Sequence, residues 1–80
     1  MPQYKYALKV KEKDNDKWVE VWGFEDYDWG LVEGVYNDIE KIYEMDKNYD
    51  YIVEILAINE GREGGVYTEK SKSFSKYGRK

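Results

Sequence analysis

The chain opens on a strict alternation. Tyr4, Tyr6, Leu8 and Val10 occupy one set of positions, and Lys5, Ala7, Lys9 and Lys11 the other. A period of two predicts a half-buried strand. Asp14-Asn15-Asp16 supplies a polar turn. Trp18 to Glu25 reads as a second strand, hairpinned to the first. The period then lengthens. From Asp28 to about Met45 the apolar positions Leu31, Val35, Ile39 and Ile42 fall within about 80° of one another at 100° per residue. Val32, Tyr36, Tyr43 and Met45 widen the arc to roughly half the circumference. That predicts an amphipathic helix lying on a sheet. Asp28 or Asp26 is the candidate N-cap, since a short carboxylate accepts the orphan N–H groups of a first turn. Lys47-Asn48 is the candidate stop, because Asn tolerates the left-handed conformation.

Tyr51 to Ile58 is apolar on both faces and predicts a central strand. Glu60 to Gly65 reads as a flexible connection. Val66 to about Lys72 reads as an edge strand whose lysines discourage aggregation. The order is β-β-α-β-β. It predicts an α+β fold: one small domain, a four-stranded antiparallel sheet with one helix packed on one face. The compact domain is expected over residues 1–72, with 73–80 a basic, flexible tail unless Phe74 or Tyr77 docks.

The first hairpin has two registers. A loop of even length pairs Val10 with Val21 and Lys11 with Glu20, which places Trp18 and Trp22 on the lysine face. A loop of odd length pairs Leu8 with Trp22 and Tyr6 with Phe24, which places both tryptophans in the core. A slip of one residue exchanges the faces. The core placement is expected, because large aromatics are usually buried in so small a domain.

Size sharpens that expectation. A chain of 80 residues buries only about 60–65% of its unfolded surface. Nine Tyr, three Trp and two Phe compensate for a thin core. There is no Cys, so neither a disulfide nor a thiolate metal site helps it. No apolar run reaches membrane-spanning length, and no signal peptide is visible. A reducing cytoplasm, that of an infected host if the protein is viral, is the expected setting.

The chemistry is narrowed by what is missing. Without His or Cys the commonest general bases, nucleophiles and transition-metal ligands are absent. Every Ser lies near the C-terminus without an evident base. Asp46-Lys47-Asn48-Tyr49-Asp50 matches the opening of a calcium loop. Tyr51 stands where that loop needs glycine, and Ala57 where it needs glutamate. The glycines of residues 60–65 lack the Gly-Lys-Ser/Thr of a phosphate loop. No enzyme activity, cofactor or metal is expected.

Charge is segregated. Residues 1–19 carry five Lys against three acids, a net of +2; residues 20–64 carry three bases against thirteen acids, a net of −10. Residues 65–80 carry five bases against one acid, a net of +4. Such a layout argues for an interaction surface. On the helix, Glu33, Glu40 and Glu44 fall opposite the apolar arc, with Asp38 at its edge. Glu40 and Glu44 are a like-charged pair one turn apart, unfavourable by about a few tenths of a kcal/mol.

The leading expectation is therefore a protein-binding module. Glu33, Asp38, Glu40 and Glu44 would dock on a basic host surface such as that of a nucleic-acid-processing enzyme, a nucleic-acid mimic by charge. In size, acidity and aromatic richness the chain is similar to the small inhibitor proteins that bacteriophages encode against host enzymes, a resemblance of type carried by no family motif. The alternative is a single-stranded nucleic-acid platform of Lys9, Lys11, Trp18, Trp22 and Lys72. A further alternative is a structural homo-oligomer, a homodimer for instance, in which opposite charged faces meet.

Overall fold

A computed structural model describes residues 3–76. Its elements are β1 (Tyr4–Asp14), β2 (Lys17–Asp26), α1 (Trp29–Met45), β3 (Tyr51–Asn59) and β4 (Val66–Phe74). The strands form one antiparallel sheet in the order β2-β1-β3-β4. The expected β-β-α-β-β architecture is the one observed. The helix leaves the edge strand β2 and crosses the sheet to β3, with β1 between them.

Local chemistry sets the boundaries. Asn15 and Asp16 both take positive φ, 50° and 67°, the backbone of a two-residue type I′ turn. Asp28 is the N-cap: its Oδ1 accepts from the Leu31 N–H at 3.3 Å, and Asp26 Oδ1 holds the Asp28 N–H at 2.8 Å. The helix ends without the left-handed Asn48 expected for it. Asp46 caps it with extended backbone, and Asp46 Oδ1 accepts from the Asn48 N–H at 2.9 Å. The β3–β4 connection is pinned: Asn59 Oδ1 accepts the Gly61 N–H at 2.8 Å, and the Asn59 N–H donates to the Gly65 carbonyl at 2.8 Å. Gly64 and Gly65 sit at φ 67° and 113°, where a side chain is strained. β4 runs through Phe74, which is buried against the core. Tyr77 and the basic residues after it lie outside the described residues.

The core is a single layer between α1 and the sheet. Leu8 and Val10 from β1, Tyr51, Val53 and Ile55 from β3, Phe74 from β4, and Val32 and Tyr36 from α1 are buried together. Tyr6 and Trp29 close one end edge-to-face at 5.1 Å, and Tyr43 and Tyr51 the other at 4.7 Å. Burial pushes the Tyr36, Tyr43 and Tyr51 hydroxyls above their ordinary value of 10.0; a hydrogen bond to Asp46 raises Tyr51 further. Among the described residues no helix is long and apolar enough to cross a membrane.

The hairpin resolves its register with a bulge. Next to the turn, Asp14 faces Lys17 and Lys11 faces Glu20; beyond it, Val10 faces Trp22 and Leu8 faces Phe24, leaving Val21 as the extra residue. The tight turn imposes the even register, and the bulge then restores Phe24 to the helix side. The two tryptophans are thereby separated. Trp18 lies on the open face with Lys13 opposite, and Trp22 on the helix face opposite Val10. Neither is core: Trp18 is 43% exposed and Trp22 36%. The expected burial fails for Trp18 because it faces away from the helix, and for Trp22 because the helix leaves that position of the helix face uncovered.

Candidate interaction surface

The candidate acids were read as one outward row. The helix is rolled away from that arrangement. Its buried seam is Trp29, Val32, Tyr36, Ile39 and Tyr43, centred about 100° round from Leu31. The outward ridge is consequently Gly30, Gly34, Asn37 and Lys41, all exposed. Glu33 and Glu40 turn to the flank over β4. There Glu33 meets Lys70 at 3.0 Å and Glu40 meets Lys72 at 2.8 Å. Each ammonium also lies near a ring: Lys70 is 5.4 Å from Tyr36 and Lys72 5.6 Å from Phe74. The hydrogen bond to Glu40, then its charge, holds the Lys72 ammonium above its ordinary pKa. Asp38 and Glu44 are exposed. Glu44 falls within about 40° of Glu33 and Glu40, and its charge also acts on Lys72; Asp38 falls on the far side of the outward ridge. Glu33, Glu40 and Glu44 thus share the flank over β4, where the first two are paired with lysines, and Asp38 stands apart from them.

The lysine set is divided as well. On the open face of the sheet Lys5 pairs with Glu25 at 2.9 Å, Lys9 with Glu20 at 3.5 Å and Lys11 with Glu54 at 3.0 Å. The Lys5 hydrogen bond keeps the Glu25 carboxyl below the usual carboxylate range. Lys9, Lys11 and Trp18 share this face, while Trp22 and Lys72 lie on the helix side. The five residues of the nucleic-acid alternative are thus on two faces, and Lys9 and Lys11 are already partnered.

What the roll uncovers is a second apolar seam. Leu31, Val35, Asp38, Ile42 and Met45 follow the 4-3-4-3 spacing of a helix stripe. They run along the flank opposite Glu33 and Glu40, on the side away from β4. Leu31 is 48% exposed, Ile42 59% and Met45 80%; Val35 is half-buried against the core. The helix face of β2 also carries Trp22 and Val19, themselves exposed. The broad apolar arc of the helix is therefore two adjacent seams. One is core, and the other is a surface with a single carboxylate, Asp38, set into it. The spacing of Leu31, Ile42 and Met45 held that signal, but the wheel alone does not say which half of the arc the sheet takes.

The class of protein these features define is a small α+β domain with an exposed helix seam. Comparison with known protein families, curated proteins and solved structures finds no match for the chain.

Proposed function

We propose that this protein is a non-enzymatic protein-binding module that docks through the outer seam of α1. The observation that carries this reading is the exposure of Leu31, Ile42 and Met45 on one flank, while the acids of the other flank are occupied by β4 lysines. A small chain that leaves three large aliphatic side chains in water along one line has an interaction surface there. Anchors spaced in this way suit a groove or an amphipathic helix on the partner.

Asp38 sets the partner's charge. It lies inside the seam, and docking would take its carboxylate out of water. An unpaired buried carboxylate is strongly unfavourable, so the partner must present a basic group opposite it. The partner is thus a protein surface apolar at its centre with an Arg or Lys facing Asp38. This keeps the expected basic partner and moves the contact from the acidic row to the seam.

The test uses immobilised full-length protein and stoichiometric capture from a bacterial lysate treated with nuclease. Capture should be lost on Leu31→Asp with Ile42→Asp and weakened by Asp38→Lys. It should survive Glu33→Gln with Glu40→Gln. Capture that follows the glutamates and ignores the seam overturns the reading.

A further inference from the structure

We propose that two copies of this chain associate edge to edge through β2, continuing the sheet across a two-fold axis. This goes beyond the docking seam and does not rest on it. The starting point is the contrast between the two sheet edges. β4 presents Glu69, Lys70, Ser71 and Lys72, the charged composition that blunts an edge. β2 presents Trp18, Val19, Glu20, Val21 and Trp22, all exposed, with one charge among them. A long edge of aromatic and β-branched residues, with no strand on its outer side among the described residues, is a template for another strand.

The strand is complementary to itself. β2 is basic where it begins, at Lys17, and acidic where it ends, at Glu25 and Asp26. An antiparallel pairing with a second copy brings each basic start to an acidic end. The bulge suggests the register. Set Val19 against Trp22 of the second copy, and the two bulges meet at the axis. Lys17 then faces Phe24, and Trp18 faces Gly23, of the second copy. Each of these pairs keeps to one face of the sheet. Lys17 reaches Asp26 of the second copy one step along the helix face. Glu20 is drawn back toward its own Lys9.

Gly23 is the second, independent observation. Glycine in a strand interior weakens it and marks a close approach by another group. Nothing within one copy asks for it: its φ is not positive, and an added Cβ would meet only Glu20 Oε2 and the Leu8 carbonyl, each at an ordinary 3.6 Å. Gly23 lines a depression of about 460 Å³ on the open face, with Ala7, Lys9, Glu20 and Glu25 around it. In the register above, Trp18 of the second copy lies directly over it. A tryptophan laid across a glycine on a neighbouring strand is a known way to pin register. The two helices lie on the same side of the joined sheet, with axes about 20 Å apart at the usual strand spacing, so the outer seams stay open.

The test is the solution mass of the full chain by sedimentation, with thermal unfolding measured alongside. A two-chain mass is expected. Gly23→Val should return it to one chain while the concentration-independent stability stays level or rises, because valine suits a strand. Trp18→Glu, at an exposed position, should also give one chain with the fold intact. Leu31→Asp with Ile42→Asp should leave two chains, which separates this proposal from the docking seam. A single-chain mass up to millimolar protein overturns it, and so does a two-chain mass indifferent to both Gly23→Val and Trp18→Glu.

Discussion

The two flanks of α1 face the same sheet and are built on opposite principles. Toward β4, Glu33 and Glu40 reach Lys70 and Lys72, and the ammonium groups rest beside Tyr36 and Phe74. Charge on that side is consumed inside the molecule. On the opposite flank Leu31, Ile42 and Met45 stand in water, and Trp22 on the helix face of β2 is exposed as well. The glutamates of the helix pair with the β4 lysines on one flank, and an apolar excess is left on the other. Composition alone would have assigned function to the charges and structure to the aliphatics. The proposed docking seam would reverse that assignment.

The sharpest way to break the contrast is to make one substitution on both sides of the divide. Ile55→Ala, at a fully buried strand position, should lower stability by about 3 kcal/mol. Ile42→Ala, on the outer seam, should stay within about 0.5 kcal/mol. Denaturant unfolding decides; equal losses would mean that the seam belongs to the core.

Alkali bears next on the closed side. Tyr36, Tyr43 and Tyr51 are all raised above 10.0 in the folded chain. The unfolded chain therefore gives up these protons first. Stability is complete below pH 10.0 and falls as pH rises through the higher folded values. Lys72, raised above 10.5, acts in the same direction. Melting followed from neutral pH into alkali should show the fall, and Tyr51→Phe should flatten it. A flat profile in the parent protein would remove the buried-tyrosine account.

Gly34 lies on the outward ridge between the flanks, and an added Cβ would meet nothing within 4 Å. Gly34→Ala should stabilise the protein by about 0.5–1 kcal/mol, with partner capture unchanged; a loss of capture would extend the docking surface onto the ridge. The smallest effect belongs to the ion pairs. Glu33→Gln with Glu40→Gln should lower the melting temperature slightly at low salt, and high salt should erase the difference. A larger, salt-insensitive loss would mean that packing, not charge, holds that flank.

Most of the fold was legible in the chain. The switch from a period of two to the helical period and back placed all five elements to within about three residues, and Asp28 was a recognisable cap. Three features were not legible. The hairpin register reads as a choice between two regular pairings; the structure keeps the even one next to the turn, and beyond the bulge at Val21 it pairs Leu8 with Phe24, which neither alternative contained. The helix stop was assigned to Asn48, but Asp46 ends the helix with extended backbone and a side-chain hydrogen bond. The candidate acids were placed by the helix alone. Lysines some thirty residues further on decide where Glu33 and Glu40 point.

The sequence by itself determined the element order, the antiparallel sheet and the breadth of the apolar arc on α1, because each follows from the local period of side chains along one element. It also excluded the chemistries that need His or Cys. Only the tertiary structure decided which half of that arc is core, which glutamates are neutralised and which tryptophan lies on which face. Those outcomes depend on pairings between distant segments, Glu40 with Lys72 and Leu8 with Phe24, and no local pattern encodes the competition among them.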